Sequence, residues 1–215
     1  MPRPQLKICG LRQPAQAAAV ALLGADAIGV IGVAGSPRYV DPAERQALFA
    51  AVQAAAPGCQ RVLVVDDPDE ATLDQLGADR GHGILQLHGS ESPQRCRELG
   101  EKLGCEIWKA LRIRTPEDLQ RAAAYAEVVD ALLLDAWLPD QLGGTGHPIP
   151  IDWLDQFQPP LPWWLAGGIR AERVAPVLAQ LSPTGLDASS GVERSPGDKD
   201  LALVAELVGA VGAAS

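Results

Sequence analysis

Eight short apolar runs punctuate the chain: QLKIC (5–9), AIGVIGV (27–33), RVLVV (61–65), ILQL (84–87), EIWKA (106–110), ALLLD (131–135), WWLA (163–166) and GLDA (185–188). They are nearly continuous in Val, Ile and Leu, the pattern of strands buried on both faces of a parallel sheet. Most are separated by Ala-, Leu-, Glu- and Arg-rich segments of helical period, among them PAQAAAVALLGA, DPAERQALFAAVQAAA and SPQRCRELGEKLG. Asp41-Pro42, Asp67-Pro68, Ser92-Pro93 and Thr115-Pro116 each place a capping residue before a proline, which predicts four helix starts. Strand and helix in alternation predict an α/β chain forming a single-domain (β/α)8 TIM barrel over residues 1–215. A doubly wound open sheet competes, but CGLRQP after the first strand does not match its G-x-G-x-x-G. After the sixth strand, AWLPDQLGGTGHPIP leaves little room for a helix. A long Gly/Pro-rich loop in a compact domain is expected to be functional or mobile. Gly143, Gly144 and Gly146 would let Leu142 to Gly146 serve as a moving lid.

Composition narrows the partners. A net charge of −9 argues against nucleic acid or an anionic membrane surface, and leaves room for a small anionic ligand bound at a local cationic site. No apolar run approaches a membrane span, and MPRPQLKICG lacks a signal-peptide core, so a cytoplasmic protein is expected. Cys9, Cys59, Cys96 and Cys105 show no C-x-x-C spacing, and His82, His88 and His147 are scattered. Neither a disulfide framework nor a metal site is expected.

In such barrels the chemistry lies at the carboxyl ends of the strands. The first run ends in Cys9, the fourth is followed by His88, the sixth ends in Asp135, and the seventh leads into Gly167-Gly168. The eighth carries Asp187 and continues into Ser189-Ser190-Gly191. Strands one and six are three steps apart around an eight-strand ring, so Cys9 and Asp135 can face each other across the mouth as base and acid. Glycine-rich turns after strands seven and eight are where barrels commonly bind phosphate through backbone N–H groups. Arg38, in the loop after strand two, suits a carboxylate or phosphate.

These pieces together resemble phosphoribosylanthranilate isomerase, a barrel enzyme of tryptophan biosynthesis. The resemblance runs in order through KICGL, GADAIGV, SPRYV, LQLHG, DALLLDA, GGTG, LAGGI and GLDASSGVERSPGDKD. It implies an Amadori rearrangement of N-(5-phosphoribosyl)anthranilate, with Cys9 as general base and Asp135 as general acid. It further implies that Arg38 meets the anthranilate carboxylate and that Gly167, Gly168, Ser189, Ser190 and Gly191 hold the phosphate. Lys7, His88 and Asp187 are further candidates for substrate contact. The resemblance implies no metal and no organic cofactor, and a small sugar-phosphate substrate as the partner; a monomer and a homodimer both remain open. Relatives commonly place an aromatic residue shortly before SPR, where this chain has Ala34 and Gly35, and Trp137 is a substitute for walling the anthranilate ring. They also place a basic residue after GGTG, where this chain has His147.

Strand alternation points Lys7 and Cys9 to the same side, so Lys7 either supports a thiolate or pairs with Asp187. A neighbouring cation is expected to favour the thiolate. Rival readings are an indole-glycerol-phosphate synthase, for which Lys109 is the one hint, and a pentose-phosphate epimerase, which wants metal ligands at several strand ends. A non-catalytic sugar-phosphate binder is a third, and it predicts loss of Cys9 or Asp135; both are present.

Overall fold

In the computed structural model, which describes residues 3–136 and 148–214, every one of the eight apolar runs forms a strand. They are β1 (Gln5–Cys9), β2 (Ala27–Ile31), β3 (Gln60–Val65), β4 (Ile84–Leu87), β5 (Glu106–Ile113), β6 (Ala131–Ala136), β7 (Trp163–Leu165) and β8 (Gly185–Ala188). Each pairs in parallel with the next, and β1 closes the ring on β8 with Lys7 opposite Asp187. The open doubly wound sheet is thereby excluded. Period-2 alternation sorts each strand into two cores. Leu6, Ile8, Ile28, Leu63, Leu85, Leu132 and Leu134 pack outward under the helices. Cys9, Ala27, Val62, Val64, Ile84, Trp108, Ala110, Ala131, Leu133, Trp164 and Ala166 fill the barrel. Large and small side chains share that interior: Trp108 and Trp164 lie 4.7 Å apart, and a Cβ at Gly185 would come within 2.3 Å of the Trp164 ring.

The outer layer is less regular than the sequence pattern predicts. Helices α1 (Pro14–Leu22), α2 (Pro42–Ala55) and α3 (Pro93–Leu103) form where their periodicity places them, followed by α4 (Ala171–Leu178) and α5 (Leu201–Ala213). Asp41 accepts a hydrogen bond from the Ala43 N–H and Ser92 from the Arg95 N–H, so two of the four predicted caps work as caps for α-helices. Thr115 and Asp118 form a reciprocal capping box, but the segment they open, Pro116–Tyr125, winds as a 3₁₀ helix. Asp67-Pro68 opens no helix. Asp67 has φ 38° and gives its carboxylate to the N–H and hydroxyl of Ser90, across the strand ends. Between β3 and β4 there are only two single 3₁₀ turns, Leu73–Gln75 and Ala78–Arg80, bounded by Gly77 and Gly81. A short antiparallel hairpin, β9 (Glu193–Ser195) and β10 (Asp198–Lys199), separates β8 from α5. The proposed lid, together with Trp137 and His147, lies outside the described residues.

Candidate active site

At the carboxyl ends of the strands a pocket open to solvent is lined by residues from six strands and the loops after them. Cys9 comes from β1, Gln86 and His88 from the end of β4, Asp135 from β6 and Asp187 from β8. Arg38, Ser36, Gly167, Gly168, Ser189 and Ser190 come from the loops. Cys9 and Asp135 therefore share one cavity, as the strand arithmetic predicts.

Cys9 is only 6% exposed. Room for its sulfur is made by Gly29 on the neighbouring strand, where a Cβ would sit 2.6 Å from Sγ and 3.1 Å from Lys7 Cε. Gly10, at φ 85°, turns the chain away, and a Cβ there would strike the Arg38 side chain at 2.5 Å. Burial pushes the Cys9 thiol up, and the charges of Lys7 and Lys199 only partly offset it. This reverses the expectation of a depressed thiol: the cations are present, but the sulfur has lost its water. Of the two roles open to Lys7, the structure shows the ion pair. Its Nζ donates to Asp187 Oδ1 at 2.9 Å, and it also acts on Cys9. Burial works against the charge on Lys7, yet these two partners raise it overall. Burial pushes the Asp187 carboxyl up against the opposing pull of Lys7.

Arg38 is far from a solvated loop arginine. Its Nε donates to Glu193 Oε1 at 2.9 Å and its Nη2 to Oε2 at 2.7 Å, a fork fixed by a carboxylate from β9. Glu193 Oε1 also accepts from Lys199 Nζ at 2.7 Å, and Lys199 is fully buried. Burial works against the Glu193 charge, but Arg38 and Lys199 hold its carboxyl below the usual range. Lys199 continues to the Ser189 carbonyl at 3.2 Å, so the cluster reaches the turn after β8. Sequence reasoning assigned no role to Glu193 or Lys199, although both lie in the GVERSPGDKD stretch that carries the resemblance.

The double glycine turn has the backbone a phosphate cradle needs. Gly167 and Gly168 have φ 93° and 63°, and Arg173 Nη1, from the first turn of α4, ties down both of their carbonyl oxygens at 2.8 and 3.2 Å. Arg173 is a third residue missed from sequence. Ser189 spends its hydroxyl on the Cys9 carbonyl at 3.1 Å, so it braces β1 as well as lining the pocket. Ser190 lines the pocket. Gly191 lies behind it, where a Cβ would come within 2.3 Å of the Ile169 carbonyl oxygen; its role is to let the two turns touch.

His88 Nε2 stands 3.6 Å from Asp135 Oδ2, and His88 Nδ1 meets Gln86 Nε2 at 3.1 Å. Lys109 does not reach the pocket. All three of its donors are taken, by the carbonyls of Leu87 and Gly89 and by Glu91 Oε2 at 2.8 Å. The hint of a synthase-type lysine is removed by that buried pair. Among the described residues no three His, Cys, Asp or Glu side chains gather where a metal ion could be held.

The family model of N-(5'-phosphoribosyl)anthranilate isomerase matches residues 6–210. The chain belongs to the phosphoribosylanthranilate isomerase family. It is 50% identical over 208 residues to the isomerase of Synechococcus sp., covering 94% of each chain. With that of Nostoc punctiforme it shares 46% over 211 residues, 97% of this chain and 98% of the relative. The crystal structure of the isomerase from Thermotoga maritima superposes with a TM-score of 0.87 at 28% identity, covering 98% and 99% of the two chains. A structure of the isomerase holding reduced 1-(o-carboxyphenylamino)-1-deoxyribulose 5-phosphate superposes at 0.80 with 27% identity, again covering 98% of this chain and 99% of the other. That isomerase family is thus joined to a barrel whose strand ends gather a thiol, a carboxyl group and a double glycine turn.

Proposed function

We propose that this chain is a phosphoribosylanthranilate isomerase, converting N-(5'-phosphoribosyl)anthranilate to 1-(2-carboxyphenylamino)-1-deoxyribulose 5-phosphate in tryptophan synthesis by general acid–base catalysis. The observation that carries the reading is that Cys9 and Asp135, from β1 and β6, line one cavity together with the Gly167-Gly168 turn. Asp135 gives a proton to the ribose ring oxygen. The bond from that oxygen to C1 breaks, and the anthranilate nitrogen supplies electrons to form a cationic imine. The Cys9 thiolate takes the proton from C2; those electrons make a C1–C2 double bond and return the nitrogen to neutrality. The enaminol then gains a proton on C1 and loses the one on its C2 hydroxyl, leaving a ketone at C2 and an amine at C1. Protons taken and given balance, and no redox partner is involved.

Each group suits its step. Burial disfavours the thiolate in the free pocket. Positive charge developing on the imine adds to Lys7 and Lys199 and favours that form when it is needed. Glu193 fixes the Arg38 fork through Nε and Nη2, which leaves Nη1 for the substrate carboxylate. The substrate phosphate takes the backbone N–H groups of the glycine turns. An assay of the purified protein with freshly made phosphoribosylanthranilate, following loss of anthranilate fluorescence, tests the reading. Cys9→Ala and Asp135→Asn should each lose about 10²–10⁴ in turnover. Joint replacement of Cys59, Cys96 and Cys105 by alanine should leave activity intact. No turnover by the wild type would overturn the function, and near-wild-type turnover in a single variant would remove that residue from the mechanism.

A further inference from the structure

Gln86 and His88 are two residues apart at the end of β4, both turned into the pocket and only 1% and 7% exposed. Their contact joins Gln86 Nε2 to His88 Nδ1 at 3.1 Å, and the donor and acceptor roles across it follow the tautomer of the ring. With the amide nitrogen facing the ring as a donor, Nδ1 carries its lone pair, and in the neutral ring the hydrogen is then on Nε2. That Nε2 is buried and has no hydrogen-bond partner among the described residues, and neither has Gln86 Oε1. Asp135 Oδ2 is 3.6 Å from Nε2, just beyond hydrogen-bond length. The other ionisable groups around the ring are Asp187 on β8, paired with Lys7, and Asp66 after β3. Leaving a donor unpaired in a buried site costs free energy, and such groups in native structures are commonly poised for function.

We infer that Gln86 and His88 are positioning residues for Asp135: Gln86 holds His88 as its Nε2–H tautomer, and His88 donates to Asp135 Oδ2. This rests on the reading of Asp135 as the acid. The contact closes by about half an ångström as substrate binds, since catalytic hydrogen bonds are often long without ligand. With Oδ2 occupied as an acceptor, the carboxyl proton is confined to Oδ1. The carboxylate left after donation keeps its bond from Nε2–H. The part of His88 is to orient the carboxyl group through that one hydrogen bond, and no proton transfer is assigned to it.

The test compares His88→Gln, whose amide can place a donor near the Nε2 position, with His88→Leu, which has none. His88→Leu should lower kcat about 10²-fold with KM changed little, and His88→Gln should recover much of that loss. In an Asp135→Asn background, His88→Leu should cost almost nothing more, because the two act as one unit. Nitrogen-15 NMR of histidine-labelled protein reads the tautomer directly. The chain has three histidines, and His88→Gln assigns the signal of interest. Wild type should show an unprotonated Nδ1 and a protonated Nε2, and Gln86→Leu should release that preference. A protonated Nδ1 in the wild type overturns the inference, and this readout stands even should His88→Leu fail to fold. Full kcat in His88→Leu alongside an inactive Asp135→Asn also overturns it while sparing the acid. An active Asp135→Asn instead sinks the acid assignment itself.

Discussion

A lysine and an arginine lean on one carboxylate at the edge of the site, and that single residue, Glu193, governs more chemistry than its place in a short hairpin suggests. Its side chain is 4% exposed, and both partners are within 2.7 Å of it. Glu193→Gln should free the Arg38 fork and raise KM for phosphoribosylanthranilate about ten- to a hundredfold, the worth of a charge-assisted contact. It also strands Lys199, which is buried and has no other acidic partner among the described residues. The variant should therefore unfold more easily at neutral pH, by about 3–5 kcal/mol. The sign of the pH effect follows from the lowered Glu193 carboxyl. The unfolded chain takes up this proton first, so the ion cluster's stabilisation is fully present above the ordinary value of 4.5 and is lost as pH falls through the lower folded value. Urea unfolding from pH 7 downward should show wild type and Glu193→Gln converging on the acid side. Parallel curves down to pH 3 would show that Glu193 does not titrate in that range.

Among the elements, the barrel depends on its loops as much as on its helices. Where β3 and β4 lack an α-helix between them, a buried polar knot does the joining. Glu91 Oε1 accepts from the Asp67 N–H at 2.7 Å and from the Gly89 N–H at 3.2 Å, while Oε2 takes Lys109 from β5. Tyr125, at the end of the 3₁₀ segment, donates its hydroxyl to the Glu91 carbonyl. One residue thus ties the segments after β3 and β4 to the middle of β5, close in sequence to His88. Glu91→Gln should cost about 3–5 kcal/mol in urea unfolding, because it leaves a buried ammonium without its charge partner. The double variant Glu91→Leu/Lys109→Met should cost less than the sum of its single changes, since the pair is removed together. A loss below about 1 kcal/mol for Glu91→Gln would mean that water reaches the knot and solvates Lys109.

At the scale of the whole molecule, closure of the ring sets which side chains can be large. Trp108 and Trp164 fill the interior toward the strand starts, against Ala27, Ala131 and the bare backbone of Gly185. This packed floor leaves the open end for chemistry, so stability and catalysis occupy different ends of one barrel. Trp164→Ala should lower stability by about 3–5 kcal/mol through lost contacts and the cavity left behind. Its effect on KM should be small, because Trp164 is not among the residues lining the pocket. A large change in KM with stability intact would place the indole in contact with the substrate site after all.

Local physics made much of this legible in the sequence. Short, nearly continuous Val/Ile/Leu runs fit strands buried on both faces, and eight of them alternating with helical segments fit a sheet covered by helices. The strand ends follow from that, and with them Cys9, Asp135 and the two glycine turns, because each is placed by its own strand. The failed helix start at Asp67 marks where local rules stop: its carboxylate found Ser90, 23 residues away, and gave up the cap. Charge partners show the same limit. Lys7 meets Asp187 across 180 residues and Arg38 meets Glu193 across 155, pairings that exist only once β1 and β8 close the ring. The elevated Cys9 thiol has the same origin. Sequence places one cation, Lys7, beside the sulfur, but only the folded barrel adds Lys199 and removes the water, and desolvation there outweighs both charges.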